Sequence, residues 1–281
     1  MRKITYLLLI LFIVFISFFI FNKLFNKKKE NDEIQNKLAI LNNIDEQLDY
    51  FNYDYLDRYI SYYSENKNKS IKQIIVEVNI GLDQKFYTNT KETPYLNQSY
   101  ILINKYLFMS ENYVPNNLEV IDEKYSRSGM RLVNYAKEAF ETLCKDANSE
   151  GYKIRAISSY RSYNYQFDLY NRYVLQDGIK KADTYSARAG FSEHQTGLVV
   201  DVDNEVLPYT SFHETKEYSW MNDNAHKYGF IERYPTGKES ITGYDYESWH
   251  YRYVGVEIAT YIKENNIAFD EYYVQFIEHK K

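Results

Sequence analysis

The pattern of hydrophobic positions begins with a long apolar run at the start of the chain. Residues 4–21 are uncharged and strongly apolar, and a helix needs about 20 such residues to cross a bilayer. Arg2 and Lys3 ahead of the run also suit a signal peptide, but no alanine occurs before Ala39 and no small-residue cleavage site follows. The pattern therefore favours an uncleaved N-terminal membrane anchor over residues 1–22, with a signal peptide as the alternative.

The next segment, residues 23–97, is polar and aromatic and carries two weaker patterns. From Lys27 to Asn43 a loose apolar spacing predicts a helical stalk. Further on, the β-branched run Ile74–Ile80 predicts a strand. The chain has only four prolines and ten glycines, so no flexible linker marks a sharp boundary. We therefore assign residues 23–97 to a stalk and an N-terminal extension.

Helical and strand patterns follow one another more closely from Gln98 onward, and we assign residues 98–281 to one main domain. The predicted strands are Leu118–Ile121, Tyr152–Ser158 and Gly197–Val202, and the predicted helices are Arg131–Ala147, Tyr163–Leu175 and Ser219–Lys227. Gly229 follows the last helix at the place where a glycine commonly ends one. Helices interspersed with short strands predict an α+β fold.

Charge and cysteine content narrow the classes of function. The chain has 34 basic and 39 acidic residues and a net charge of -5. Because both signs are interspersed, we expect no nucleic acid partner. The single cysteine, Cys144, excludes an intramolecular disulfide framework and a multi-cysteine zinc site. Any metal site must therefore be built from histidines and carboxylates.

Two histidines and one aspartate stand in a pattern that suits zinc. A hydrolytic zinc site uses three ligands from His, Asp and Glu and keeps a fourth position for water. We expect His194, Asp201 and His250 to bind one Zn²⁺, which requires Gly197 to turn the chain between the first two ligands. Glu247, three residues before His250, is the expected general acid and base beside the metal.

These residues form a pattern that resembles the zinc D-alanyl-D-alanine carboxypeptidases, a branch of the LAS metallopeptidases that also includes L,D-carboxypeptidases. The pattern is Ser192-x-His194-x-x-Gly197-x-x-x-Asp201 followed by Glu247-x-Trp249-His250. Further similarity lies in Ser158–Ser162, Gln166 and Tyr251–Gly255, so the resemblance covers roughly Val114 to Gly255. It implies a small central antiparallel sheet flanked by helices, with the metal ligands and the catalytic carboxylate at the positions given above.

The resemblance also implies roles for five other residues. Arg161 takes the place of an arginine that contacts the scissile carbonyl group or the intermediate. Ser192 and Gln166 take the places of residues that hold the terminal carboxylate of the substrate, and Tyr234 and Trp249 are expected to line the substrate cleft. An ordinary structural role is the alternative for each, such as a strand-end ion pair for the arginine or a place in the core for the tryptophan.

The function implied by the resemblance is zinc-dependent removal of the C-terminal D-alanine from peptidoglycan stem peptides. We expect D,D-cleavage of a pentapeptide, while L,D-cleavage of a tetrapeptide would use the same residues. The alternatives are a peptidoglycan endopeptidase and a non-catalytic, zinc-containing module that binds or senses the cell wall. This function places the catalytic domain outside the cytoplasm, facing the wall, although the basic residues that follow the span would by themselves favour the opposite orientation.

Overall fold

The computed structural model describes residues 22–23, 25–29, 32, 35 and 48–278. The predicted membrane span, residues 4–21, and most of the predicted stalk lie outside the described residues. Those described between 22 and 35 are helical. Within the described part of the chain, no helix has both the length and the apolar character needed to cross a bilayer. The chain divides into two compact units, Met1–Val78 and Asn79–Lys281.

The described part of the first unit contains helix α1 (Leu56–Glu65) and the larger part of helix α2 (Ile71–Ile80). The predicted strand over Ile74–Ile80 is wrong. Three side chains on one face of α2 are buried around Tyr59: Ile74, Ile75 and Val78. Burial of this apolar helix face outweighs the preference of β-branched residues for strands.

The second unit is built from short strands and from helices of 4 to 16 residues around one larger sheet. Its strands are β1 (Lys91–Glu92), β2 (Leu107–Phe108), β3 (Leu118–Val120), β4 (Arg131–Val133), β5 (Arg155–Ser158), β6 (Val199–Asp203), β7 (Phe230–Glu232) and β8 (His250–Tyr253). Its helices are α3 (Asn134–Ser149), α4 (Tyr163–Asp177), α5 (Ile179–Tyr185), α6 (Lys216–Asn224), α7 (Glu239–Thr242), α8 (Val256–Asn265) and α9 (Phe269–Phe276).

The larger sheet has the strand order β5-β6-β8-β7, and each neighbouring pair is antiparallel. The mixed fold with an antiparallel sheet agrees with the sequence prediction. Several predicted boundaries differ from the observed ones; residues 131–133, for example, were predicted to begin a helix but form β4, which pairs with β3. Leu132 and Val133 are buried in the core. Because these residues pair with β3 and are buried as a strand, α3 begins only at Asn134.

The core of the second unit lies between one face of this sheet and helix α3. Helix α3 contributes Ala136, Phe140, Leu143, Cys144 and Ala147, and the strands contribute Val200, Val202 and Tyr251 among others. Successive side chains of a strand point to opposite faces. The residues between these core positions, including Asp201 in β6 and His250 in β8, therefore lie on the other face of the sheet.

A tight turn at Gly197 precedes β6. Gly197 has a φ of 68°, in the left-handed region that residues with a Cβ adopt only with strain. A Cβ added here would lie 2.8 Å from Cδ2 of Leu118 and 3.1 Å from Cγ2 of Val133. Both the backbone angle and the surrounding side chains therefore require glycine, as the sequence predicted for a chain that turns back between two ligands.

We expect Gly197→Ala to lower the free energy of unfolding by about 3 kcal/mol, because it combines left-handed backbone strain with a steric clash. Gly151→Ala is the matched control, since Gly151 has a φ of 87° but no described atom lies within 4 Å of an added Cβ. This control should lose only about 1 kcal/mol. Equilibrium unfolding in urea measures both variants, and equal losses would contradict the role of the clash.

Candidate active site

Three residues with metal-binding side chains converge on one point of the second unit. His194 lies in the 3₁₀ turn Glu193–Thr196, Asp201 lies in β6, and His250 begins β8. Asp201 and His250 are direct partners across the antiparallel pair β6-β8, so the strand register places them side by side. Potential ligand atoms of all three residues lie within 4.8 Å of one another. The structure thus brings together the three predicted zinc ligands.

One ring nitrogen of each histidine faces the Asp201 carboxylate. His194 Nδ1 lies 2.7 Å from the carbonyl oxygen of Ser159, so we assign the proton to Nδ1 and a free lone pair to Nε2. Nε2 of His194 lies 3.3 Å from Oδ2 of Asp201, and Nδ1 of His250 lies 3.2 Å from Oδ1. Two imidazole nitrogens and one carboxylate form a donor set that suits zinc in hydrolases.

The electrostatics of this cluster also fit a bound cation. Burial alone would raise the pKa of Asp201, but the two histidines and Arg161 hold it well below its usual range. Burial and Arg161 lower the pKa of His194 to about 4, so this imidazole is neutral and able to ligate. Oδ1 of Asp201 is buried and has no hydrogen-bond partner among the described residues. A buried oxygen of this kind destabilises the fold unless a cation or a hydrogen-bond donor contacts it. A zinc ion bound by Asp201 would provide that contact.

The predicted general acid and base, Glu247, lies beside the cluster. Its Oε2 is 3.5 Å from Nδ1 of His250, and the residue is buried. Burial, assisted by the negative charge of Asp201, raises the pKa of Glu247 to about 8. A carboxyl group with such a pKa can take up and return a proton near neutral pH.

Arg161 follows β5 and lies against the metal ligands. Its Nη2 donates a hydrogen bond of 2.7 Å to Oδ2 of Asp201, and Nε and Nη2 both donate to Oγ of Ser158, at 3.1 and 2.8 Å. Ser158 is itself paired with Asp201 across β5 and β6. The guanidinium group is thereby fixed at the edge of the cluster, where it can stabilise negative charge on a substrate.

Gln166 and Ser192 are both buried and both line the same cleft. Nε2 of Gln166 donates to the carbonyl oxygen of Ala187 at 2.7 Å and to Oγ of Ser186 at 3.4 Å, and its Oε1 accepts from Arg161 at 3.5 Å. Both amide donors of Gln166 are thus engaged within the protein. A direct contact with a substrate carboxylate stays a prediction for this residue, as it does for Ser192.

The two predicted aromatic residues lie at different depths of the cleft. Tyr234 is buried, and its ring lies 4.8 Å from the ring of His250 and 4.8 Å from that of Tyr244. Trp249 is half-buried and packs edge-to-face against Tyr209 at 5.1 Å. Tyr234 therefore packs against the predicted ligand His250 at the buried end of the cleft, whereas Trp249 and Tyr209 form a more exposed part of its wall.

The cleft has a volume of about 670 Å³ and is lined by all nine residues predicted from the sequence. This volume lies within the usual range of small-ligand pockets, about 300 to 1,000 Å³. The sequence did not single out these further lining residues: Arg127, Arg131, Tyr165, Tyr173, Glu193 and Tyr209. Among these residues, only Glu193 could have been suspected from the sequence, because it lies between two residues of the motif. A glutamate at one position does not, however, reveal from the sequence whether its side chain is buried or exposed to solvent.

Known proteins resemble this chain over much of its length. A family model described as VanY, D-alanyl-D-alanine carboxypeptidase, matches residues 129–256. The putative carboxypeptidase YodJ of Bacillus subtilis (strain 168) is 39% identical over 179 residues, which cover 61% of this chain and 66% of that protein. The chain thus spans just under two thirds of the length of this curated relative.

Solved structures share the fold. The LdcB LD-carboxypeptidase matches with a TM-score of 0.58 and 38% identity, covering 62% of this chain and 85% of that one. A mutant of the vancomycin resistance D,D-pentapeptidase VanY in complex with Zn(II) matches with a TM-score of 0.54 and 32% identity, covering 62% of this chain and 98% of that one. The motif, the antiparallel sheet and these similarities agree, and the chain belongs to the VanY D-alanyl-D-alanine carboxypeptidase family.

Proposed function

We propose that this chain is a zinc-dependent carboxypeptidase that removes the C-terminal D-alanine from peptidoglycan stem peptides. The observation that carries the proposal is the convergence of His194, Asp201 and His250 in one cleft, with the Glu247 carboxyl group 3.5 Å from the last ligand. Membership of the family and the zinc complex of a related VanY support it.

The chain's own residues supply the proton transfers of the reaction. When bound, zinc supplies Lewis acidity that activates water and polarises a carbonyl group. Glu247 takes the proton of the attacking water and then returns it to the departing amine of D-alanine. Its raised pKa, about 8, suits both steps near neutral pH because the group neither holds nor releases the proton too strongly.

Arg161 stabilises the negative charge that develops on the oxygen of the scissile carbonyl group. Its hydrogen bonds to Asp201 and Ser158 hold the guanidinium group in place before the substrate arrives, so little reorganisation is needed during the reaction. Ser192 contacts the terminal carboxylate in this proposal, and Gln166 joins it when one of its amide donors leaves Ala187 or Ser186. Trp249 and Tyr234 line the cleft around the peptide. Recognition of a free carboxylate favours a carboxypeptidase over an endopeptidase.

L,D-cleavage of a tetrapeptide is the second candidate for the same site. The specific observation in its favour is that the LdcB LD-carboxypeptidase has a higher TM-score and a higher identity to this chain, 0.58 and 38%, than the VanY D,D-pentapeptidase, 0.54 and 32%. The two activities differ in the configuration of the residue before the scissile bond, so substrate choice separates them.

Incubation of the soluble part, residues 30–281, with muropeptides that end in pentapeptide or tetrapeptide tests the activity. We expect mass spectrometry to detect released D-alanine, a chelator to abolish release, and added zinc to restore it. Release from the pentapeptide alone assigns D,D-specificity, and release from the tetrapeptide alone assigns L,D-specificity. Zinc binding without turnover would favour a wall-binding module, and cleavage of cross-linked peptides would favour an endopeptidase.

Replacing Glu247 by glutamine should lower kcat about 10²- to 10⁴-fold, because the general acid and base is lost while the side chain keeps its shape. Since Glu247 is not one of the three ligands, metal analysis should find the zinc content of the variant unchanged. Glu239→Gln, in the short helix α7, is a control that should retain full activity. Undiminished D-alanine release by the Glu247 variant would contradict the mechanism.

Replacing Arg161 by lysine should lower kcat about 100-fold. Lysine keeps the positive charge, but its ammonium group cannot reproduce the hydrogen bonds that the planar guanidinium group donates to both Asp201 and Ser158. Arg172→Lys on the exposed part of α4 is the matched control and should not change kcat. Steady-state kinetics with the preferred muropeptide provide the measurement. An unchanged kcat for the Arg161 variant would leave this residue with a structural role only.

We further propose that residues 4–21 anchor the chain in the cell membrane with the catalytic domain facing the wall. The uncharged apolar run supports this proposal. Deletion of residues 1–22 should move the protein from the membrane fraction to the soluble fraction and leave D-alanine release unchanged. Membrane fractionation and mass measurement of the mature chain provide the test, and a mature chain that lacks these residues would show a cleaved signal peptide instead.

A further inference from the structure

A fully buried group of four charged side chains lies directly behind the candidate zinc site. It consists of Glu193, Arg233, Arg252 and Asp270, each at most 2% exposed. Oε1 of Glu193 accepts hydrogen bonds from Nε of Arg233 at 2.9 Å and from Nη1 of Arg252 at 3.0 Å. Nη1 of Arg233 donates to Oδ2 of Asp270 at 2.7 Å. The group thus forms one connected chain of ion pairs.

The charges in this group compensate one another. Oε1 of Glu193 lies within ion-pair distance of both guanidinium groups, at 2.9 Å from Arg233 and 3.0 Å from Arg252, and Asp270 lies 2.7 Å from Arg233. Two acidic and two basic side chains are thus paired in the interior of the protein. Replacing a buried ion pair by apolar residues is often neutral or stabilising, so fold stability by itself does not explain why four charges are buried here.

The second oxygen of Glu193 faces a predicted zinc ligand. Oε2 is buried and lacks a hydrogen-bond partner among the described residues, and the same holds for Nε2 of His250. These two atoms lie 3.7 Å apart. The other ring nitrogen of His250, Nδ1, faces Asp201 at 3.2 Å. The imidazole therefore lies between two carboxylates, one on the metal side and one on the side of the buried charges.

We propose that Glu193 is a positioning residue for the zinc ligand His250, and that Arg233, itself held by Asp270 of α9, keeps Glu193 in place. The inference rests on the proposed zinc site. A ligating histidine commonly donates its second N–H to a carboxylate, which fixes the ring and makes it a stronger ligand. Here the carboxylate is itself fixed by two guanidinium groups, so the position of the ring depends on the whole group.

Some of the residues that hold this group in place lie outside residues 129–256, the segment that the family model matches. Asp270 belongs to α9, and its Oδ1 accepts a hydrogen bond of 2.9 Å from the buried Asn104. Nη2 of Arg252 donates to the carbonyl oxygens of Ser99 and Ile101 at 2.9 and 2.7 Å. The contacts that hold this group therefore extend from Ser99 to Asp270, beyond both ends of the matched segment.

Zinc affinity, measured by competition with a chromogenic chelator, tests this role without any substrate. We expect Glu193→Gln to weaken zinc binding about 10- to 100-fold, as replacement of a carboxylate behind a ligand commonly does. Because this substitution leaves two buried guanidinium groups with one carboxylate, it also threatens folding. The double substitution Arg233→Met with Asp270→Asn removes one charge of each sign, keeps the group balanced, and should weaken zinc binding about 10-fold.

The matched control is Asp146→Asn, which weakens a hydrogen bond of 2.8 Å from the hydroxyl group of Tyr228. Neither residue is part of the described lining of the cleft, so this variant should lower the melting temperature of the metal-free chain without changing zinc affinity. Unchanged zinc affinity in both the Glu193 variant and the balanced double variant would overturn the proposal. So would a loss of affinity in the control equal to theirs, since destabilisation alone would then account for it.

The outcome for the unaltered chain separates this inference from the proposed function. A chain that binds zinc but releases no D-alanine from muropeptides contradicts the proposed activity alone, and the positioning role is still decided by the affinities of the variants. A chain that binds no zinc overturns both.

Discussion

The pairing of Asp201 with His250 across β6 and β8 is the constraint on which the rest of the site depends. Directly opposite residues of antiparallel strands have Cβ atoms about 5 Å apart, so the register alone brings two predicted zinc ligands side by side. A slip by one residue would turn His250 toward the core and Tyr251 toward the cleft. Burial of Tyr251 in the core opposes such a slip, because the slip would expose this side chain.

Charge compensation is the second requirement, since the site collects charged groups where water is scarce. Asp201 carries a negative charge beside two imidazoles and Arg161, and Glu193 carries another beside two arginines. Each anion is tolerated because cationic partners lie within ion-pair distance. The orphaned oxygen Oδ1 of Asp201 is the place where this compensation is incomplete without a metal ion, which is consistent with a site that has evolved for one.

Local patterns predicted most of the second unit and failed where burial overrides propensity. Helix α4 and strand β3 were predicted because their sequences carry clear local patterns. Helix α2 was predicted as a strand, since β-branched residues favour strands until packing on one helix face outweighs that preference. Strand β4 was predicted as the start of a helix because its pairing with β3 is not visible in a single segment.

The sequence by itself determined the chemistry of the candidate site, because two histidines, an aspartate and a glutamate at motif spacing suit few uses other than a hydrolytic zinc centre. Only the tertiary structure decided which nitrogen of each histidine faces the predicted metal position. It also decided that the amide donors of Gln166 bond to other protein groups and that Glu193 lies next to Nε2 of His250. These facts depend on contacts between residues distant in the chain, such as Glu193 with Arg233 and Arg252, and no local pattern of residues encodes such contacts.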